Sequence, residues 1–176
     1  ADSQIKDLKR IKFGIPGFDD LIQNGVPAGT SILMSGPSGA GKTIFCLHFL
    51  FTGATAANEP GIYVSFEETA DSIKQTARLF GWDIDQLEKE NKLAIIWKDP
   101  YEIKNFATSL TGELYYRIKD MGAKRIVIDP ITYMGEAVKD KQKLRKVLVD
   151  LSKRFNALGA TVLFISERPD GLKSRF

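Results

Sequence analysis

Cysteine is nearly absent from this sequence. Its 176 residues include one, Cys46, so no internal disulfide can form. That excludes the disulfide-stapled secreted scaffolds and fits a reducing compartment. Histidine is equally scarce, and the single His48 reads as an edge-of-core or surface residue rather than a metal or phosphoryl site. Long apolar runs are missing as well. No stretch reaches the roughly 18 residues that suggest a membrane span. The opening Ala1-Asp2-Ser3-Gln4 is polar where a signal peptide needs an apolar run. Low-complexity segments, linkers and internal repeats are also lacking. The expectation is a soluble, cytoplasmic protein.

What is present is ordinary in amount. Apolar residues make up 43% and charged residues 27%, which excludes intrinsic disorder. The length suits one domain that buries roughly 70% of its unfolded surface. With 25 basic and 22 acidic residues the net charge is +3. That is not the clustered charge of a dedicated nucleic-acid binder.

Short apolar runs alternate with amphipathic stretches. Strands are expected at Ser31–Ser35, Ile62–Phe66, Leu93–Trp97, Arg125–Asp129 and Thr161–Ser166. Helices are expected at Lys42 to about Ala57, from a Thr69 cap to about Phe80, from an Asp83 cap through Glu90, at Phe106–Met121 and at Lys141–Leu158. The strands are continuously apolar, as strands buried on both faces are. Alternation of strand and helix then predicts an α/β three-layer domain with a mostly parallel central sheet. Tyr115, Tyr116, Trp82 and Trp97 read as packing residues at or near the core.

The strongest local pattern is Gly36-Pro37-Ser38-Gly39-Ala40-Gly41-Lys42-Thr43. It satisfies G-x-x-x-x-G-K-[ST] between a strand and a helix. Its glycines let the backbone curl so that successive N–H groups form an anion nest. The helix start adds partial positive charge. Lys42 would reach the β- and γ-phosphates, and Thr43 would offer its hydroxyl to Mg²⁺. The following helix is apolar almost all round, so it should lie buried between the sheet and another layer.

A P-loop site needs an acid at a neighbouring strand end to order the metal's water shell. Asp129, closing the run Arg125-Ile126-Val127-Ile128, fits that role. Hydrolysis needs a group that directs water. Glu67 and Glu68 follow the strand Ile62–Phe66, at the edge where open α/β sheets bind ligands. From the residues alone, a solvated turn with a capping acid explains this pair equally well. Ser166 closes the last strand and is a candidate for a hydrogen bond to the γ-phosphate or the attacking water. Glu167 and Arg168 read alternatively as an ion pair at the sheet edge.

Together these residues resemble the KaiC-like ATPases of the RecA/RadA P-loop superfamily. The resemblance is carried by Gly14-Ile15-Pro16-Gly17-Phe18-Asp19-Asp20-Leu21, by Gly25-Val26-Pro27-Ala28-Gly29-Thr30, and by the P-loop. Phe66-Glu67-Glu68-Thr69, Phe80-Gly81-Trp82-Asp83, Ile128-Asp129 and Ser166-Glu167 continue it over roughly residues 11 to 176. The resemblance implies a RecA-type core that binds ATP with Mg²⁺ and hydrolyses it at subunit interfaces, usually in a hexameric ring. It implies Glu67 and Glu68 as the water-activating pair and a preference for ATP over GTP. Members of that family continue past Ser174-Arg175-Phe176 with further strands, so this chain is expected to be one ATPase core without them.

Three functions stay open. One is an ATPase that controls assembly or a protein partner. The second is a recombinase relative acting on single-stranded DNA, for which the basic stretch Lys139–Arg154 is a candidate surface. Those charges also suit the solvated face of an amphipathic helix, and aromatics do not interleave with them. The third is a nucleotide switch with little hydrolysis.

Overall fold

A computed structural model describes residues 8–99, 102, 113–137 and 140–167. In chain order its elements are β1 (Arg10–Ile11), α1 (Phe18–Leu21), β2 (Val26–Pro27), β3 (Ser31–Gly36), α2 (Lys42–Ala56), β4 (Gly61–Ser65) and α3 (Ala70–Leu79). Then come α4 (Ile84–Lys89), β5 (Leu93–Trp97), α5 (Glu113–Met121), β6 (Arg125–Asp129), α6 (Thr132–Ala137), α7 (Lys141–Ala157) and β7 (Thr161–Glu167). The Phe106–Glu113 half of the helix expected to end at Met121 lies largely outside the described residues.

Helix starts follow local chemistry. The Thr69 hydroxyl accepts the Ser72 N–H, and Asp83 accepts the Gln86 N–H. Asp140 accepts from Gln142 and Lys143. Each satisfies donors that a first helical turn leaves unpaired.

Five parallel strands pair in the order β3-β7-β6-β4-β5. A strand's side chains alternate between its two faces. Ile62, Val64, Ile126, Ile128, Val162 and Phe164 enter one core with α5 and α7. Tyr63, Val127, Leu163 and Ile165 enter the other with α2, α3 and α4. This is the RecA-type three-layer arrangement.

The N-terminal elements are not legible as periodic patterns, and the structure explains their role. β1 and β2 form a small antiparallel ladder. Asp19 accepts the Phe13 and Gly14 N–H groups at 2.8 and 2.9 Å. The Arg10 guanidinium donates to Gly25 O at 2.7 Å. This lead-in lays Phe13 and Phe18 against Phe45 and Phe49 of α2. It thereby covers the outer side of a largely apolar helix.

Two packing expectations need correction. Tyr116 is 68% exposed and Trp97 46% exposed. Tyr116 lies on the solvent side of α5, whose Leu114 and Ile118 fill the core instead. Trp97 ends the edge strand β5. Trp82 does pack at a core margin, stacked on Phe51 and edge-on to His48.

Candidate functional site

A cavity of ≈ 480 Å³ opens at the C-terminal edge of the sheet. The P-loop, β4, β6 and β7 all end there. Gly39 and Gly41 have φ of 75° and 79°, a region that costs other residues a Cβ clash. These turns bring the loop round to α2. Gly41 caps that helix with no side-chain hydrogen bond, and its first turn holds no acid. The positive end of α2 therefore faces the cavity uncompensated by a local side chain.

Lys42 has a side chain only 7% exposed. Its amine donates to Gly36 O at 3.1 Å and Pro37 O at 2.6 Å. It also lies 3.4 Å from a Glu167 carboxylate oxygen. The protein's own acceptors thus hold the ammonium over the loop. Thr43 donates to Glu68 Oε1 at 3.0 Å, and Ser72 donates to Glu68 Oε2 at 3.0 Å. Glu68 is pinned between the starts of α2 and α3. Ser65 braces the turn beneath it, donating to Glu68 O at 2.6 Å.

Four carboxylates surround one amine. Glu67, Glu68, Asp129 and Glu167 line the cavity with Ser38, Lys42 and Thr43. Burial raises the Glu67 carboxyl above its ordinary range, and the charges of Glu167, Asp129 and Glu68 add to this, against Lys42. Burial likewise raises Asp129. A hydrogen bond from Tyr63 opposes that rise, while Glu68 and Glu167 reinforce it. Such a cluster is short of positive charge.

The sequence-derived candidates divide as follows. Ser38, Gly39, Gly41, Lys42, Thr43, Glu67, Glu68 and Asp129 line the cavity. Gly36, Pro37 and Ala40 shape the loop, with the Ala40 N–H on Pro37 O at 3.3 Å. Ser166 is not a lining residue, whereas Glu167 is. Arg168, and with it the alternative Glu167–Arg168 ion pair, lies outside the described residues; Glu167 lies 3.4 Å from Lys42. Glu167 and Tyr63 take their places in the site from strand adjacency, and Ser65 and Ser72 take theirs from the turn and helix start around Glu68; none of these contacts is marked by a motif.

The donor set fits a nucleoside triphosphate with Mg²⁺. The loop and Lys42 suit phosphate oxygens, and the acids suit a cation. Among the described residues no group of three or more His, Cys, Asp or Glu forms a metal cage. Mg²⁺ bound through phosphates and one or two protein oxygens needs none. No helix among the described residues is long and apolar enough to cross a membrane.

The family model described as "ATPase: KaiC" matches residues 11–175. A UPF0273 protein of Methanocaldococcus jannaschii is 38% identical over 173 residues, covering 91% of this chain and 71% of its own. The circadian clock oscillator protein KaiC of Synechococcus elongatus is 36% identical over 173 residues. There the match covers 95% of this chain and 33% of the relative, about a third of its length. A crystal structure of a KaiC-like protein from Pyrococcus horikoshii superimposes with a TM-score of 0.77 at 38% identity, covering 94% of this chain and 73% of that one.

Proposed function

Because the chain belongs to the KaiC family of P-loop ATPases, we propose that it hydrolyses ATP with Mg²⁺ and uses turnover to control its assembly or a protein partner. One observation carries this reading. Lys42, Thr43, Asp129, Glu67 and Glu68 converge on a single cavity at the sheet edge.

Each residue then has a task. On nucleotide binding Lys42 exchanges its Gly36 and Pro37 carbonyl partners for β- and γ-phosphate oxygens. Thr43 and Asp129 would hold Mg²⁺, directly and through its water shell. When bound, the cation neutralises charge on the triphosphate. Glu68 is already committed to Thr43 and Ser72, which supports a positioning role. Glu67 lines the same cavity with a raised carboxyl, which supports the role of base. Its carboxylate accepts a proton from water as the water oxygen bonds to the γ-phosphorus. The bond to the β–γ bridging oxygen breaks, releasing ADP and phosphate. A positioned base of this kind contributes about 10²–10⁴ in rate.

The resemblance to ring-forming ATPases leads to a homo-oligomer, hexameric by that analogy, in which neighbouring subunits complete the site. On α7, Lys143, Arg145, Lys146, Lys153 and Arg154 are exposed while Leu151 and Phe155 are buried. Lys139 lies outside the described residues. These charges therefore form the solvated face of an amphipathic helix.

The deciding experiment is steady-state Mg·ATP hydrolysis against protein concentration, with and without single-stranded DNA, while light scattering records mass. Turnover that rises with assembly and ignores DNA is expected. Turnover only with DNA would indicate a recombinase relative. Tight binding without turnover would indicate a switch.

A further inference from the structure

Tyr63 lies on β4 in register with Val127, two residues below the Ser65–Asp129 pair on the same sheet face. Its side chain is fully buried and does not line the cavity. Its phenol O–H nevertheless donates to Asp129 Oδ2. The bond ties β4 to β6 beneath the cavity that Asp129 lines.

The direction of the bond follows from its partners: the phenol O–H donates and the carboxylate oxygen accepts. With Oδ2 engaged from below, Oδ1 is the Asp129 oxygen left to the cavity. An aspartate's terminal torsion is otherwise broad, and this bond is what narrows it.

We propose that Tyr63 is a positioning residue: its hydroxyl holds Asp129 in the one orientation that presents Oδ1 to the cation accompanying the nucleotide. The inference rests on the reading of Asp129 as the acid of the metal shell. Outer-shell partners of this kind commonly change metal affinity by about 10–100-fold when removed.

The test uses Tyr63→Phe, which keeps the ring and removes only the hydroxyl. Binding of a fluorescent ATP analogue is measured in EDTA and across a Mg²⁺ titration, with thermal unfolding in parallel. Affinity in EDTA should stay within about twofold of the parent, while the Mg²⁺ midpoint rises about 10-fold. A merely structural tyrosine would lower affinity equally with and without Mg²⁺, and that result overturns the proposal. Asp129→Asn separates the two layers. If it shifts the Mg²⁺ midpoint and Tyr63→Phe does not, only the tyrosine inference falls. If neither shifts it, the Asp129 assignment falls too. Combining both substitutions should shift the midpoint no further than Asp129→Asn alone, because Tyr63 acts through that carboxylate. An additional shift would overturn the proposal.

Discussion

Glu67 and Glu68 are neighbours in the chain but not in their surroundings. Glu68 accepts from two hydroxyls, whereas the Glu67 carboxyl is raised by burial and by three other acids. Glu67→Gln should lower single-turnover hydrolysis by about 10²–10⁴ and leave nucleotide affinity close to the parent's. Glu68→Gln should cost less, since an amide oxygen still accepts a hydroxyl. Equal losses would contradict this division. The raised carboxyls also have a pH signature. In the nucleotide-free fold Glu67 and Asp129 hold their protons to higher pH than in the unfolded chain. Stability from this cluster is therefore lost as pH rises from the ordinary carboxylate range through the raised one. Glu67→Gln removes part of that loss. Its unfolding free energy from urea denaturation should exceed the parent's increasingly across the same window, by only about 0.5 kcal/mol because the site is solvent-screened.

Helix α2 meets a different environment at each end. Its start faces the phosphate cavity, and its far half meets Arg125, the first residue of β6. That guanidinium is 1% exposed. It donates to Glu59 at 2.8 Å and to Phe49 O and Lys12 O at 2.7 Å each. Burial alone would raise the Glu59 carboxyl, but Lys9 and Arg125 outweigh it and lower it. Glu59 thus contributes stability above the ordinary carboxylate range that is lost as pH falls through its lowered pKa. Glu59→Gln should cost about 3–5 kcal/mol by leaving Arg125 uncompensated, measured by urea denaturation at neutral pH. Gly53 makes the room for this group. A Cβ there would meet Arg125 Cδ at 2.5 Å and Glu59 O at 2.9 Å. Alanine improves helix propensity by about 1 kcal/mol, yet overpacking costs about 1–3 kcal/mol. The arginine is pinned by three partners and one clash is with backbone, so Gly53→Ala should destabilise. A raised unfolding midpoint would show that the pocket relaxes. Nothing local marks Arg125 as buried, since an arginine opening a strand reads as solvated.

For the molecule as a whole, the strand order assembles the candidate site. The chain leaves β3 through α2 and returns at β4, three strands along the sheet. β6 and β7 then fill the gap and bring Asp129 and Glu167 up against Lys42. If neighbouring subunits complete this site, turnover per subunit should rise with protein concentration across the association range. A flat specific activity with rising mass would separate assembly from catalysis.

The sequence by itself determined the P-loop, the α/β alternation and most element boundaries. Those are local properties: a turn's glycines, a cap's side chain and an apolar period all act within about ten residues. The tertiary structure alone decided which strands adjoin, which of two adjacent glutamates is already held, and that Glu167 rather than Ser166 meets the lysine. It also decided that Tyr63 and Arg125 carry hydrogen bonds within the core. Those outcomes depend on long-range pairing and on the local dielectric. Residues far apart in the chain acquire them only when parallel strands align their ends.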